Sequence, residues 1–405
     1  MKKILFLGSS FGITQMIEYA KSQGIYTIVT DYLDTEKSSA KKIADESWLI
    51  STAETELIES KCIENHISAL LCGISEFNLD QLIELCSRLN LPCYCTKEQR
   101  SFSKDKRRFK NICRRLSIPV ADDYRLVELM NNDDWGFSVV VKPNGSAGSE
   151  GVSFCGNWQQ LKEAYSIAEK KFEASDVIIE RKLEGKEYFA VYAFADGEPR
   201  LVSLNSMNPQ PEYPSKCYSF VISYADIRDR FLQELHPDIC RLFKEMNYRN
   251  GAAWVQTILD QDGMFYLIEM GCEYRLPDMR YVNGFDFAKW QVNFALGNVN
   301  KFDCSFLNTN KFAKYACEYL FWTDHKGVVN DIKFETANDS DDIKTELLVE
   351  KGSCFEQYQI IGHALFCAND ELQVYKKLNK INSSLKVTDE CGNNPIIYYT
   401  DNFFD

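Results

Sequence analysis

The stretch Val139-Val140-Val141-Lys142-Pro143-Asn144-Gly145-Ser146-Ala147-Gly148-Ser149-Glu150-Gly151-Val152 delivers one lysine off an apolar run into a loop with three glycines and two serines. Glycines permit positive φ and close backbone approach. Such a loop can therefore turn its N–H groups onto phosphate oxygens while Lys142 adds a fixed positive charge. The same residues also suit an ordinary β-hairpin turn with a solvent-facing lysine, and the spacing is neither a Walker loop nor a dinucleotide fingerprint. Taken alone, the stretch leaves both readings open.

Two further features bear on that choice. In Val177-Ile178-Ile179-Glu180-Arg181-Lys182-Leu183-Glu184-Gly185-Lys186-Glu187-Tyr188, an apolar run ends in Glu180, a glycine turn follows, and Glu187 begins the next strand. At the edge of an adenine slot, Glu180 and backbone groups could accept from the exocyclic amine while Glu187 holds ribose hydroxyls. Singly, these are also what two surface carboxylates at strand ends look like. The third feature puts Gln256 and Glu269 on successive strands, Gly251 to Gln256 and Phe265 to Gly271, joined by the turn Asp260-Gln261-Asp262-Gly263. Paired oxygen ligands of this kind suit Mg²⁺, which keeps several waters and binds through one or two carboxylates plus substrate phosphates. A solvated hairpin face is the alternative for each residue by itself.

The elements that must position these residues follow from periodicity. Ser103-Lys104-Asp105-Lys106 opens a predicted helix with Phe109, Ile112, Cys113 and Leu116 on one face, ended by Ile118-Pro119. Apolar runs at 139–141, 177–179, 188–195 and 265–268 alternate with helices near 157–172 and 228–247, which predicts a mixed α/β domain. Pro209, Pro211 and Pro214 discourage regular structure and make Tyr213 to Tyr224 a candidate mobile loop. Upstream, the run from Lys3 to Gly8, a helix with Ile13, Met16, Ile17 and Ala20, and a run from Tyr26 to Asp31 read as βαβ. The alternation continues through Ser68 to Gly73, a helix from Leu79 to Leu89 and a short strand before Thr96, predicting a parallel sheet. Gly8 and Gly12 lack the spacing that seats a dinucleotide, and Asp31 fits an ordinary strand end. Downstream, Tyr315 to Trp322 and Gln357 to Ala368 read as strands and Glu371 to Leu378 as an amphipathic helix. The expected division is 1–100, 101–300 with a lid at about 120–187, and 301–405.

Composition limits the partners. With 45% hydrophobic and 26% charged residues, the chain is expected to be ordered nearly throughout. A formal charge of -13 repels nucleic-acid phosphates and anionic membranes, so neither is an expected partner, and an anionic nucleotide needs a local cluster of lysines and amides. The apolar run after Met1-Lys2-Lys3 is too short for a signal peptide, and no stretch approaches the ~18 apolar residues of a membrane helix. Fifteen irregularly spaced cysteines fit a reducing cytoplasm, where Cys packs as a small core residue. Cys93-Tyr94-Cys95 has no partner pair for zinc. His66, His236, His325 and His363 share no spacing and read as structural or surface residues, and no Ser-His-Asp or Cys-His pattern stands out.

The ordered set Asp105-Lys106, Lys142 with its loop, Glu180 to Glu187, Gln256 and Glu269 resembles the ATP-grasp superfamily. It is most similar to the carbamoyl-phosphate synthetase large-subunit branch, together with the carboxylate–amine and L-amino-acid ligases. The resemblance implies an α/β and α+β architecture: an N-terminal parallel α/β (pre-ATP-grasp) domain, a two-subdomain ATP-binding fold and a small C-terminal α+β domain. It implies ATP and Mg²⁺ as cofactors. Lys106 and Lys142 would contact phosphates, and Gly145, Ser146, Gly148, Ser149 and Gly151 would close over them. Glu180 and Glu187 would take adenine and ribose, and Gln256 and Glu269 the metal.

The family commonly reads Glu-x-Asn-x-Arg on the second metal strand, whereas this chain reads Glu269-Met270-Gly271-Cys272-Glu273-Tyr274-Arg275. Gly271 offers no side-chain ligand, so either Glu273 or a water completes the shell, or the second metal is weakened. Arg275 is the expected catalytic partner of Lys142, neutralising charge on the transferring group, with a structural salt bridge as its alternative. Asn205, Ser206, Arg275, Arg280 and Asn283 are the substrate candidates. The implied activity is a carboxylate–amine ligase working through an acyl phosphate and releasing ADP and phosphate. Such a reaction needs no enzyme nucleophile. Its partners would be a small-molecule carboxylate and amine, and a second copy in a homodimer. A ligase that activates bicarbonate and a degenerate ATP-binding regulatory protein are the alternatives, the latter because of Gly271.

Overall fold

The computed structural model describes residues 1–9, 12–130, 138–145, 151–171, 177–210, 212–213, 217–222, 225–272, 285–298, 315–334 and 343–399, and the structural statements below concern these. The chain opens with β1 (Lys3–Leu7), α1 (Ile13–Ser22), β2 (Tyr26–Asp31), α2 (Ser39–Ile43), β3 (Glu46–Leu49), α3 (Thr55–Glu64), β4 (Ala69–Cys72) and α4 (Glu76–Leu89). The strands form the expected parallel sheet in the order β3-β2-β1-β4, with Leu5 between Ile28 and Leu70. Ile4 to Leu7 are fully buried because helices cover both faces, which is why the strand reads as an unbroken apolar run.

The short strand expected before Thr96 is not part of this sheet. Thr96 instead caps a helix, its hydroxyl accepting from Gln99 N while the Gln99 side chain accepts from Thr96 N. This reciprocal cap commits the chain to α5 (Lys97–Lys104). Asp105 ends that helix and starts α6 (Lys106–Arg115), accepting from the backbone N–H groups of Arg107 and Arg108 at 3.0 Å. After α7 (Leu126–Met130) comes a small antiparallel sheet of β5 (Val139–Pro143), β6 (Ser153–Cys155) and β7 (Val177–Arg181), ordered β6-β5-β7. Helix α8 (Trp158–Lys171) covers it, and Val139, Val141, Leu161 and Ile179 make a separate core.

The rest of the chain builds a larger antiparallel sheet. Its elements are β8 (Gly185–Ala195), β9 (Glu198–Pro209), β10 (Tyr218–Ile222), α9 (Ala225–Glu234), α10 (His236–Glu245), β11 (Gly251–Asp260), β12 (Phe265–Gly271) and α11 (Phe287–Ala295). They continue with β13 (Tyr315–Thr323), β14 (Gly327–Phe334), β15 (Ile343–Leu347), β16 (Cys354–Phe355), β17 (Ile360–Ala368), α12 (Glu371–Ser384), β18 (Leu385–Asp389) and β19 (Ile396–Ile397). The sheet runs β12-β11-β8-β9-β10-β13-β17-β15, with β19 beside β13, while β16, β14 and β18 pair separately. It is therefore continuous from residues before 300 to residues after it.

Two expectations change here. The single helix near 228–247 is two, because Pro237 lacks an N–H and sits in the first turn of a new helix, α10. Within the expected loop 213–224, Tyr218–Ile222 is a strand: Phe220 pairs with Met207 on one side and Glu318 on the other. Ladder bonds to two neighbours override the local proline pattern, and Pro209 ends β9. Pro211 and Pro214 lie outside the described residues. No helix among the described residues is long and apolar enough to cross a membrane.

Candidate active site

A cavity of about 1120 Å³ is bounded by the start of α6, strand β5, the end of β7, the start of β8 and the β11–β12 hairpin. Lys106, Lys142, Gly145, Glu180, Glu187, Gln256 and Glu269 all line it. These residues come from five separate stretches of sequence. Gly151, at φ 76°, leads into β6. Ser146, Gly148, Ser149, Glu273, Arg275, Arg280 and Asn283 lie outside the described residues. Asn205 and Ser206 are buried within β9 and are not among the cavity's lining residues. The Asn205 amide donates within the sheet, to Phe189 O at 3.2 Å and Ser203 Oγ at 2.9 Å.

Lys142 closes the apolar run of β5, and its buried ammonium is held in a tight ion pair by Glu180 Oε1 across the ladder. Glu180 Oε2 accepts from Lys110 Nζ at 2.8 Å. Lys110 also pairs with Asp123, whose second oxygen accepts from Arg114 at 2.7 Å. Burial pushes the Glu180 carboxyl up, but Lys142 and Lys110 together hold it below the usual carboxylate range. The residue expected to meet adenine thus has both oxygens engaged by ammonium groups. Lys110 is the member that sequence reading passed over. Its signal was its place on the apolar stripe of α6, four residues after Lys106 and next to Phe109, where a lysine must find buried partners.

Lys106 begins α6, and its ammonium lies 3.9 Å from Glu269. Burial lowers its pKa, Glu269 opposes this and Lys142 adds to it. Its backbone N–H donates to Asn144 Oδ1 at 2.9 Å, and Asn144 Nδ2 donates to Asp105 Oδ1 at 3.0 Å. The glycine loop is therefore tied at its root to the positive end of a helix, a suitable setting for an anion.

The third wall is acidic. Glu269 stands opposite Gln256 in the β12–β11 ladder, and Glu187 lies one strand further, opposite Ile258. Burial first, and the charge of Glu269 second, push the Glu187 carboxyl up to about 7. Glu187, expected at the ribose, is thus electrostatically coupled to Glu269, expected at the metal. A carboxyl strained by a neighbouring carboxylate is relieved by a divalent cation, and every donor here is a hard oxygen. No cluster of three or more His, Cys, Asp or Glu ligands exists among the described residues. Two carboxylates and an amide leave most of a shell to water and phosphate, the habit of Mg²⁺.

Comparison with known proteins sets this geometry among relatives. Residues 105–301 match the family described as carbamoyl-phosphate synthase L chain, ATP binding domain. The 2-oxoglutarate carboxylase small subunit of Hydrogenobacter thermophilus is 22% identical over 320 residues, covering 73% of this chain and 67% of that protein. The biotin carboxylase domain of that carboxylase, crystallised as a dimer with MgADP, ADP and bicarbonate, superposes with a TM-score of 0.77 at 18% identity, over 96% of this chain and 91% of that one. A carbamoyl phosphate synthase large chain from Clostridium botulinum is 20% identical over 66% of this chain, but the match spans only 27% of that protein. An L-amino acid ligase from Bacillus licheniformis superposes with a TM-score of 0.76 at 14% identity, over 96% and 99% of the two chains. At these identities the superpositions establish a shared fold.

Proposed function

The chain belongs to the ATP-grasp ligases, and from that premise we propose that it activates a carboxylate as an acyl phosphate with ATP and passes the acyl group to an amine. The observation that carries this reading is one cavity with two opposed chemistries. Lys106 and Lys142 line it together with Glu187, Gln256 and Glu269, the Lys106 ammonium lying 3.9 Å from Glu269. The first set suits phosphate oxygens and the second the cation that travels with them.

A carboxylate is a poor acyl donor because oxide would have to leave. Its oxygen attacks the γ-phosphorus, the bond to the β-phosphate bridge breaks, and ADP departs. The amine nitrogen then attacks the acyl carbon, loses a proton, and expels phosphate as the C–O bond breaks. The protein supplies position and charge rather than a nucleophile. Glu180 and Lys110 fix Lys142 so that its ammonium needs no reorganisation when charge develops. Gly145 to Gly151, with Ser146, Gly148 and Ser149, cover the phosphates. Adenine lies by the chain after Glu180, where Arg181, Lys182 and Leu183 line the cavity. Gln256 and Glu269, with Glu187 beside them, would hold Mg²⁺, with Glu273 as the proposed further ligand, and the cation would supply neutralisation of phosphate charge. Arg275 would add a cation to the transferring group, and Arg280 and Asn283 are the proposed substrate contacts. On this reading residues 1–100, 101–300 and 301–405 are the pre-ATP-grasp, ATP-grasp and C-terminal units.

ADP release tests the reading. Release that needs both a carboxylate and an amine, with an amide as product, supports it. Lys142→Ala and Glu269→Ala should each abolish release while the protein stays folded, and retained activity in either removes that residue from the site. The similarity to a carboxylase over 73% of the chain favours a second reading, in which bicarbonate is the carboxylate activated. Release driven by bicarbonate without an amine supports that one. ATP binding with Mg²⁺ but no release against a broad panel marks a regulatory protein.

A further inference from the structure

The cavity that holds Lys142 and Glu269 does not end at the charged residues. Phe189, Met207, Tyr218, Phe220, Trp254 and Trp322 line it as well. Residues directly opposite in a ladder share a face of the sheet, as do residues two apart on one strand. Glu269 is matched to Gln256 and Gln256 to Phe189, and Trp254 lies two residues before Gln256. Asn205 is opposite Phe189, and two residues along β9 Met207 is matched to Phe220 on β10. The apolar residues therefore stand on the face that carries the expected metal ligands.

Their rings follow one another across the sheet. Trp254 and Phe189 stack with centroids 4.7 Å apart, and Phe189 and Phe220 are 5.6 Å apart. Phe220 and Tyr218 are 5.2 Å apart, and Tyr218 and Trp322 5.5 Å. The row starts beside Gln256 and leads away from it over β8, β10 and β13. Trp322 is fixed at the far end, its Nε1 donating to Tyr218 O at 2.9 Å.

Burial changes along the row. Phe189 and Trp254 are 2% and 4% exposed and share a core with Phe287 and Trp290 of α11. Met207, Tyr218, Phe220 and Trp322 are only half-buried, and all four line the cavity. Phosphates, a divalent cation and bicarbonate gain nothing from such a surface, and leaving it wet is unfavourable. Ligand pockets are mostly apolar and aromatic, with a few polar groups that fix orientation, and hold about 300–1,000 Å³. At about 1120 Å³ this cavity has room for a second molecule beside a nucleotide, with the polar groups at one end and the rings at the other.

We propose that the row of rings binds the body of the carboxylate substrate and that this substrate is an aryl-substituted organic acid, its carboxyl beside Gln256 and Glu269 and its ring over Met207, Phe220 and Tyr218. The inference rests on the carboxylate–amine reading above and chooses an organic acid over bicarbonate. From β8, next to the expected metal ligands, to β10 is two strand spacings, about 10 Å, which an aryl ring on an arm of two or three carbons covers. Offset and edge-on contacts with Phe220 and Tyr218 favour a ring over an alkyl chain of the same area.

Hydroxylamine serves as the amine in the test, because its nitrogen attacks an acyl phosphate, expels phosphate and leaves a hydroxamate. The full chain with ATP and Mg²⁺ is given 4-phenylbutyrate, 3-phenylpropionate, propionate or bicarbonate. ADP and hydroxamate are followed, and binding of each acid and of ATP is measured by calorimetry. The aryl acids should show kcat/KM at least about tenfold above propionate and bicarbonate. Met207→Glu, which places a charge on the apolar floor, and Phe220→Ala, which removes a ring, should each raise KM for 4-phenylbutyrate about tenfold or more and leave ATP affinity unchanged. Preference for propionate or bicarbonate overturns the aryl site and leaves the ligase reading standing. So does aryl-acid turnover that ignores both variants. Aryl-acid binding that both variants weaken, without ADP release, supports the site and removes the ligase reading, whereas ATP binding with no acid bound and no release removes both.

Discussion

Gly271 on β12 stands directly opposite Trp254 on β11, and the indole fills the space a side chain at 271 would occupy, with a Cβ there falling 2.2 Å from Trp254 Cε2. The ring is held in turn by Phe189, stacked on it at 4.7 Å. Glycine at the position where the resemblance to the ATP-grasp superfamily leads one to expect asparagine is thus coupled to tryptophan on the neighbouring strand. Any replacement must displace that ring.

Gly271→Asn is therefore expected to cost about 1–3 kcal/mol through overpacking, and pairing it with Trp254→Leu should recover much of that loss. Urea denaturation of both variants measures it. A single variant as stable as the parent would show that the indole moves aside freely.

Lys110→Met leaves the buried Glu180 and the partly buried Asp123 each with one partner fewer. Breaking such a pair is expected to cost about 3–5 kcal/mol and, by loosening Glu180, to weaken ATP binding through Lys142. Thermal melts with and without ATP separate the two effects. Unchanged ATP affinity in a destabilised variant would show that Lys142 holds its place without Glu180.

Glu187 links the acidic wall to pH. Its folded pKa of about 7 exceeds its ordinary value of 4.5, so between these the folded chain holds a proton the unfolded chain has lost. This contribution is fully present below pH 4.5 and is lost as pH rises through 7, so metal-free stability should fall across that window and Glu187→Gln should flatten the slope. Mg²⁺ competes with the same proton. Its affinity should rise with pH by up to about tenfold per unit below 7, as read by calorimetry in the presence of nucleotide.

His363 titrates in a different window. Burial disfavours its proton, but Glu318 at Nδ1 and Glu346 at Nε2 outweigh burial. Its pKa is raised from 6.5 to about 9, so its stabilising contribution is complete below pH 6.5 and is lost as pH rises through 9. His363→Gln should remove that slope from a plot of unfolding free energy against pH and leave the slope below 7 in place. A variant with the parent's slope above 6.5 would show that the imidazole is not held between Glu318 and Glu346.

Much of the cavity was legible because each stretch announces its own geometry. An apolar run ending in Lys142 and then glycines, or Gln256 and Glu269 across a tight turn, needs only local rules to be placed. Lys110 was not legible as the support behind Glu180 and Lys142, since Glu180 is 70 residues away and only packing brings it to the Lys110 ammonium. For the same reason the residues read as an adenine and a ribose contact exchange emphasis. Glu180 is engaged by two lysines, and Glu187 is set against Glu269.

By itself the sequence determined the elements and the chemical inventory: apolar period two or three to four, glycines where the backbone must turn, and lysines and carboxylates delivered at strand and helix ends. Those are short-range properties of the chain. The tertiary structure decided which charges meet, that Tyr218–Ile222 pairs as a strand despite the prolines before it, that Trp254 excludes a side chain at Gly271, and that Glu318 and Glu346 meet on His363. These depend on ladder register and burial between residues far apart in the chain, and such contacts exist only once the sheet has closed.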